Sequence, residues 1–227
     1  MPYKIDMTFA DATGLTSVNT DSTLNVSGGV YDLSITALVG AGNGSYHTAG
    51  FTLAAEDQVY LKFQISNTAS ASTAGYLGIT RNATGVTSQG YSLYLTSGSV
   101  GGTSFAASGA FQDRAVVAGV EYWYKYLFRA SGNIEAYIKG GAYTDWTGIR
   151  DMAAGITTGT IRPHIDFIGI DPNDGSDHLL LTRMVAAEAG DPDPSASSGG
   201  GGPANSNWNV VSVLGDEMAI YRKKIGD

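Results

Sequence analysis

The sequence contains no cysteine and little charge. None of its 227 residues is Cys, and charged residues make up only 15%, well below the ~25% of an average soluble protein. No disulfide framework therefore holds this chain, and nothing in it points to an oxidising compartment. The polar surface must consist mainly of Ser, Thr, Asn and Gly, which is typical of extracellular and virion β-proteins rather than of cytosolic enzymes.

Basic residues are scarce as well. The chain has 13 Lys and Arg against 21 Asp and Glu, which leaves a net charge of −8 and a pI near 4.7. Binding to a nucleic-acid backbone needs clustered positive charge. The one basic cluster, Arg222-Lys223-Lys224, is too short to supply it. We therefore expect no nucleic-acid partner.

Long apolar runs are also missing. No stretch approaches the ~18 consecutive apolar residues that suggest a membrane-spanning helix, so we expect no membrane partner. The opening "MPYKIDMTFADATG" lacks the apolar segment of a signal peptide. We expect a protein made in a host cytoplasm that leaves the cell by lysis or on a particle.

Alternation with a period of two residues runs through most of the chain. In "VYLKFQIS", Val59, Leu61, Phe63 and Ile65 share one side, as in a half-buried antiparallel strand. Similar alternation predicts strands over residues 31–39, 75–80, 91–96, 161–170 and 178–185. Gly, Ser, Asn and Asp clusters separate them, and only "TGIRDMAAG" (147–155) suggests a short helical turn. The pattern predicts an all-β fold, an antiparallel β-sandwich or jelly roll.

The character of the chain changes after residue 189. Residues 190–207 form a Gly/Pro/Ser linker by composition, and the pattern of residues 208–227 predicts a β-hairpin arm that turns at Gly215-Asp216.

The turn at Gly215-Asp216 pairs Val213 with Met218 and Val211 with Ile220. The hairpin is then apolar on both faces, and an isolated hairpin is marginal in water. It must dock onto its own sandwich, a second copy or another protein. We predict an assembly interface made of Trp208, Val211, Val213, Met218, Ile220 and Tyr221.

The densest aromatic run lies in "EYWYKYLFRASGNIEAYIKGG", residues 121–141. Alternation predicts that its even-numbered aromatics point into the core: Tyr122, Tyr124, Tyr126 and Phe128. With Ser131-Gly132-Asn133 as a three-residue loop, the hairpin register follows. It pairs Phe128 with Ala136, Tyr126 with Ile138 and Arg129 with Glu135.

In this hairpin a Trp opens the first strand, a Gly-Asn turn follows, and the second strand ends near a Gly. The residues in that pattern are Trp123, Gly132, Asn133, Tyr137 and Gly140. The pattern resembles the signature hairpin of concanavalin-A-like and laminin-G-like jelly rolls, and the opening from Phe9 to Ser34 is also similar. The resemblance covers residues 5–186 loosely and implies a concanavalin-like jelly roll over residues 1–189. Lectins, glycosidases, adhesion modules and phage structural proteins share this sandwich, so the fold leaves function open.

The carboxylates and histidines form no recognisable catalytic group. Sugar-cleaving enzymes of the implied fold typically carry Glu-x-Asp-x-x-Glu on one strand, and this chain lacks that pattern. The histidines, His47, His164 and His178, have no Gly-x-Ser-x-Gly elbow to accompany them. We interpret them as structural, expect an ion pair between Glu135 and Arg129, and assign no catalytic residue.

One acidic segment suits a cation. "DPNDGSDH" brings oxygen ligands together at Asp171, Asn173, Asp174 and Asp177, with a Gly for the bend, as in a Ca²⁺ loop. The resemblance agrees, because lectin and laminin-G-like jelly rolls often bind Ca²⁺ at the sandwich rim. The spacing does not match an EF-hand, and a plain turn between two strands is the alternative. Ca²⁺ is the one cofactor that the sequence suggests.

Some aromatic residues fall outside the predicted core register. We predict that four of them face solvent: Trp123, Tyr137, Tyr143 and Trp146. Lys125 and Lys139 flank the first two. Binding modules of the implied fold stack such rings on a sugar, so these residues are candidates for a surface glycan. The alternative for Trp146 is that it plugs the end of the sandwich.

The preferred function is a bacteriophage virion structural protein, a capsid decoration or cement protein. The expected partner is the major capsid protein or another virion protein, and we expect homo-oligomers. The low-charge surface, the missing signal peptide and the docking arm motivate this hypothesis. The alternative is a carbohydrate-binding module, such as the receptor-binding part of a tail fibre. A glycoside-active enzyme of the same fold is disfavoured by the missing carboxylate pair.

Overall fold

The computed structural model describes residues 3–18, 22–35, 42–65, 73–80, 90–96, 99–104, 114–153, 159–169, 178–196, 208–210 and 222–224. The chain divides into two compact units, Met1–Ser195 and Ala196–Asp227. Every regular element in the described ranges is a strand. No helix within those ranges is long and apolar enough to cross a membrane.

The strands are numbered in chain order. They are β1 Ile5–Met7, β2 Leu15–Val18, β3 Ser22–Ser27, β4 Val30–Ile35, β5 Gly42–His47, β6 Phe51–Thr52, β7 Gln58–Ile65, β8 Thr73–Thr80, β9 Gly90–Thr96, β10 Ser99–Ser104, β11 Arg114–Ala115, β12 Glu121–Phe128, β13 Asn133–Gly140, β14 Tyr143–Ala153, β15 Thr160–Gly169, β16 His178–Ala187, β17 Trp208–Val210 and β18 Arg222–Lys224.

The first unit is an antiparallel β-sandwich of the jelly-roll type, as predicted. Its first sheet has the order β14-β13-β12-β7-β16-β4-β3, with β1 added beside β16. Its second sheet has the order β11-β10-β9-β8-β15-β5-β2, with β6 added beside β15. Consecutive hairpins at the sheet edges are joined through long-range pairs, such as β12 with β7, β7 with β16 and β15 with β8.

The inward face of the first sheet carries the core, and the predicted alternation is confirmed. The even-numbered aromatics of β12, from Tyr122 to Phe128, are at most 1% exposed. Val59, Leu61 and Phe63 of β7 are fully buried beside them. Side chains of a strand point alternately to opposite faces, so the odd-numbered residues of β12 and β13 and the even-numbered residues of β7 lie on the outer face of this sheet.

The expected helical turn at "TGIRDMAAG" is wrong. Residues 147–153 of that stretch belong to β14, an edge strand of the first sheet. Ile149 is 1% exposed and packs in the core, while its neighbour Gly148 is exposed. A strand satisfies both observations because its side chains alternate, and pairing with β13 supplies its backbone hydrogen bonds.

The register predicted for the β12–β13 hairpin is wrong by two residues. Tyr126 lies opposite Ala136, and Phe128 lies opposite Ile134. The loop begins one residue earlier than predicted: the Arg129 N–H donates to the Asn133 carbonyl (2.9 Å), and Gly132 takes the left-handed conformation at φ 87°. This is a three-residue loop with the left-handed residue in third place. A register change of two residues leaves each side chain on the same face of the sheet. The predicted core residues are therefore buried, while their cross-strand partners differ from the predicted ones.

The second unit is described at two strands. β17 and β18 pair antiparallel, and Trp208 lies opposite Lys224. A two-residue loop at Gly215-Asp216 would instead place Trp208 opposite Lys223, so the described register differs by one residue from the predicted one. A shift of one residue turns the side chains of one strand to the other face relative to its partner. The predicted interface residues Val211, Val213, Met218, Ile220 and Tyr221 lie outside the described residues.

Candidate ligand-binding face

The outer face of the first sheet alternates aromatic and lysine side chains across its central strands. One cross-strand row is Lys62, Trp123 and Lys139, and the next is Tyr60, Lys125 and Tyr137. Each lysine therefore has an aromatic partner directly opposite it on a neighbouring strand. Residues directly opposite on one face lie roughly 4.5–5.5 Å apart at Cβ, close enough for the ammonium groups to reach the rings.

Trp146 joins these rows from the edge strand β14. The register between β13 and β14 shifts twice, between Ala136 and Tyr137 and between Ile138 and Gly140. Such irregularities re-aim side chains relative to a regular ladder. Trp146 is half-buried in this stretch, with its ring centroid 5.8 Å from that of Tyr60. We call Tyr60, Trp123, Tyr137, Trp146, Lys62, Lys125 and Lys139 the outer aromatic face.

The lysines of this face sit against the rings. The Lys125 ammonium is 4.5 Å from the Trp146 ring centroid and 4.8 Å from that of Tyr137. The Lys139 ammonium lies 5.9 Å from Trp146, and that of Lys62 lies 5.7 Å from Trp123. These distances are within cation–π range. Burial lowers the pKa of Lys125, because desolvation disfavours its charged form more than nearby carboxylates favour it.

A segment that follows β16 covers one side of the outer aromatic face; we call residues 188–195 the strap. Trp146 Nε1 donates to Asp193 Oδ2 (2.6 Å), and the Tyr3 hydroxyl donates to the Pro192 carbonyl (3.0 Å). A small second core forms here, in which Tyr60, Val185 and Ala187 are buried and Tyr3, Trp123 and Trp146 pack against them. The strap therefore belongs to the folded sandwich, whereas the composition of residues 190–207 predicted a linker.

Asp193 is the polar centre of the strap. Its Oδ1 accepts hydrogen bonds from the Ser195 amide (2.8 Å) and hydroxyl (2.7 Å), and its Oδ2 accepts from Trp146. Desolvation acts to raise the pKa of this carboxyl. The hydrogen bonds from Trp146 and Ser195, together with the charge of Lys139, outweigh it and hold the pKa below its usual value.

The structure brings three of the four predicted sugar-binding aromatics together. Trp123, Tyr137 and Trp146 are half-buried on the outer aromatic face. Tyr143 is elsewhere: it packs against the main core, and its hydroxyl donates to the Ala115 carbonyl (2.9 Å). Trp146 lies on the outer face of the sheet and also has a structural role there, because it packs in the small second core and donates to Asp193.

Sequence reasoning missed two members of this neighbourhood, Tyr60 and Asp193. Tyr60 has the outward position in the alternation of β7, which gave no reason to expect it buried. It is only 2% exposed, because Trp123 and Trp146 pack against its ring and Tyr3 joins the same small core. Asp193 was assigned to the linker by its Gly/Pro/Ser neighbours, and no local pattern relates it to a Trp in β14.

The remaining candidate residues carry little chemistry in the described part of the chain. Glu135 pairs with Arg129 at 2.7 Å, as expected. His47 Nδ1 accepts a hydrogen bond from the Gly50 amide (3.1 Å), a structural role. The side chains of His164 and His178 lie outside the described residues. So do the predicted Ca²⁺ ligands Asp171, Asn173, Asp174 and Asp177. Among the residues that are described, no group of three or more His, Cys, Asp or Glu could hold a metal ion.

A concave feature lies beside β1. It is a cavity of about 360 Å³ lined by β1, the loop after it and His47. Two of its charged side chains are already bound: Lys4 by Asp57 at 2.7 Å, and Asp6 by Arg183 at 2.9 Å. These pairs leave the cavity less free charge for a ligand than the outer aromatic face offers.

Comparison with known proteins identifies the fold of this chain but assigns it to no family. No family model matches the sequence, and no curated protein matches it in sequence. The structure resembles a protein of unknown function from Shewanella oneidensis MR-1, with a TM-score of 0.57, 14% identity, and coverage of 83% of this chain and 88% of that one. Peanut lectin aligns with a TM-score of 0.56 and 9% identity, over 80% and 95% of the two chains.

The Emp46p carbohydrate recognition domain is also similar. Its potassium-bound form aligns with a TM-score of 0.53 and 9% identity, over 82% of this chain and 94% of that chain. At such low identity these alignments establish a common architecture. This chain has the lectin-like, concanavalin-like sandwich fold, as the hairpin resemblance implied.

Proposed function

We propose that this protein is a non-enzymatic carbohydrate-binding domain and that the outer aromatic face is its binding surface. The observation that carries this proposal is the cluster of three half-buried rings, Trp123, Tyr137 and Trp146, on one outer sheet face. The rings are joined through Tyr60 and Lys125, and each keeps part of its surface accessible. Tyr and Trp are enriched at binding interfaces. Lectins and a carbohydrate recognition domain among the structural neighbours support the choice of ligand.

The chemistry of the face fits a sugar. The flat rings offer apolar surface to the C–H side of a pyranose, and the lysine ammonium groups offer N–H donors to its hydroxyls. The glutamates at the face have partners: Glu121 binds Lys62 at 2.6 Å, and Glu135 binds Arg129. Carboxylates held in ion pairs are poorly suited to act as a general acid, which supports a binding role over glycoside cleavage.

Glycan-array binding by purified variants tests the proposal. We expect Trp123→Ala to lose most binding, because it removes a ring from the centre of the face. Val117→Ala is the matched control: Val117 is an exposed apolar residue, 59% exposed, outside the face, and its truncation should leave binding unchanged. Equal binding by wild type and Trp123→Ala would exclude this face as the sugar site.

A second proposal is the virion structural protein, a capsid decoration protein. Its support is the unit Ala196–Asp227, in which the described strands β17 and β18 form a two-stranded sheet. Such a pair is marginal in water by itself, which favours docking onto a second copy or onto a virion protein. Particle-binding assays with the full chain and with a chain ending at Ser195 test it. Equal particle binding by the two chains would show that residues 196–227 do not dock onto the particle, and would contradict this proposal.

A further inference from the structure

Two lysines of the outer aromatic face lack a carboxylate partner. Ion pairs among the described residues involve Lys4, Lys62, Arg129 and Arg183, and none involves Lys125 or Lys139. Both lysines lie against the ring of Trp146. A half-buried ammonium retains a strong preference for an anion when none of its donors has a carboxylate to bind. Among the described residues these two ammonium groups therefore have no carboxylate in ion-pair contact, and their interactions with Asp193 and, for Lys125, with Glu135 act over a longer distance.

The same face already holds one carboxylate. Asp193 lies on the edge of Trp146, where it accepts the indole N–H, and it interacts electrostatically with Lys125 and Lys139. The Asp193 carboxylate belongs to the strap rather than to the sheet. A carboxylate presented from outside the sheet is thus stabilised beside this ring and these lysines, which is what an acidic ligand would require.

From these two observations we propose that the face binds an acidic polysaccharide, one that carries carboxylates such as those of uronic acids. This inference rests on the proposed carbohydrate-binding function and specifies its ligand class. Trp123 and Tyr137 contact the sugar rings, and Lys125 and Lys139 bind a carboxylate of the ligand. The Asp193 carboxylate is already bound beside Trp146, and its negative charge repels a ligand carboxylate that approaches these lysines.

The net charge of −8 does not oppose this binding at ordinary salt. The Debye length is about 10 Å at 0.1 M ionic strength, so repulsion from carboxylates elsewhere on the surface is largely screened. Contacts within a few ångströms, such as those between a ligand carboxylate and Lys125, are screened much less. Binding should weaken as salt increases, because each such contact is charge-assisted.

Matched pairs of polysaccharides test the inference with the full chain. An array carries acidic glycans, including polygalacturonate, and each has its methyl-esterified counterpart, which keeps the sugar rings and removes the charge. We expect the wild-type protein to bind the acidic form about tenfold more tightly or better. Lys125→Gln and Lys139→Gln should each reduce binding of the acidic form toward that of the ester. Asp193→Asn, which keeps an oxygen acceptor for Trp146, should increase it.

The controls separate the two proposals. Lys224→Gln also removes one positive charge, but in the unit 196–227. It should change neither the affinity for the acidic polysaccharide nor that for its methyl ester. Equal binding of acidic and esterified forms, with loss of both in Trp123→Ala, would overturn the acidic-ligand inference and leave the proposed function standing. Failure to bind any glycan of either kind would overturn both. Equal losses in Lys125→Gln and Lys224→Gln would show a general charge effect and contradict the assigned contacts.

Discussion

Trp146 Nε1 and Asp193 Oδ2 are 2.6 Å apart, in a hydrogen bond between residues 47 positions apart in the chain. This bond ties the strap to the edge strand of the first sheet. It also limits which part of Trp146 a ligand could contact. The indole N–H is already hydrogen-bonded to Asp193, and the ring lies against Lys125 and Tyr60. The outer aromatic face is therefore a partly covered surface whose boundary is the strap.

Asp193→Ala should destabilise the sandwich by about 1–3 kcal/mol, because a hydrogen bond to a charged group is lost and Trp146 loses its partner. Thermal unfolding measures this as a fall in Tm of roughly 2–4 °C per kcal/mol for a domain of this size.

The contribution of Asp193 should depend on pH. The folded-state pKa of Asp193 lies below its usual value, so the stability that its carboxylate contributes is fully present above the unfolded pKa of about 3.9. It is lost as the pH falls through the folded pKa. The Tm difference between wild type and Asp193→Ala should thus be full at neutral pH and shrink in acid; a difference that grows in acid would contradict this assignment.

Truncation should reveal that the strap belongs to the sandwich. A chain ending at Ser195 keeps the strap, and we expect it to fold with a Tm close to that of the full chain. A chain ending at Ala187 loses the hydrogen bonds that Pro192 and Asp193 accept from Tyr3 and Trp146. It should melt at a lower temperature with red-shifted tryptophan fluorescence. Indistinguishable melting of the two truncated chains would show that the strap contributes nothing to stability.

Gly141→Ala should be strongly destabilising. Gly141 has a φ of 55°, and a Cβ added there would lie 2.7 Å from the ring of the buried Tyr122. Gly190→Ala is the matched control, since Gly190 also has a positive φ, 91°, but no atom within 4 Å of an added Cβ. We expect a loss of about 1 kcal/mol for Gly190→Ala from backbone strain alone. Gly141→Ala should lose about 1–3 kcal/mol more, from overpacking. Chemical denaturation measures both, and equal losses would mean that Tyr122 moves aside freely.

Asp57 should matter more to stability than Asp6, although each binds one cation. The Asp57 carboxylate is 2% exposed and accepts from Lys4 Nζ and from the Ala54 amide, both at 2.7 Å. Replacing it by Asn leaves the half-buried Lys4 charge with the more distant and exposed Glu188, at 3.7 Å, at an expected loss of about 3 kcal/mol. Asp6→Asn breaks a more exposed pair with Arg183 and should lose about 1 kcal/mol or less. Urea unfolding of the two variants compares them, and a larger loss for Asp6→Asn would reverse the argument.

The hairpin register was open to prediction from sequence, and the error has an identifiable cause. The predicted loop paired apolar residues sensibly on the core face but placed Lys125 opposite Lys139 on the outer face. Like charges directly opposite each other are destabilising. The observed register moves Lys125 opposite Tyr137 and Lys139 opposite Trp123. Weighing both faces of the hairpin, rather than the apolar one alone, would have selected it.

The edge strand β14 and the strap were beyond such reasoning. The stretch at residues 147–153 has weak local preference, and its strand conformation depends on pairing with β13. The strap has the composition of a linker, yet Asp193 and Pro192 are bound by Trp146 and Tyr3. The strand β14 pairs with the preceding strand across two register shifts, and the strap is held by partners remote in sequence. Periodicity carries no information about either arrangement.

Alternation of side chains along each strand determined, from the sequence by itself, that this protein is an all-β sandwich and that Tyr122, Tyr124, Tyr126 and Phe128 are buried. That result is local, because strand geometry sends successive side chains to opposite faces whatever the partner strand is. Only the tertiary structure decided which outward residues meet. Strand order places β7 beside β12, and the strap returns over Trp146. The outer aromatic face exists because those long-range pairings bring together rings and lysines that are up to 86 positions apart, as the contact of Tyr60 with Trp146 shows.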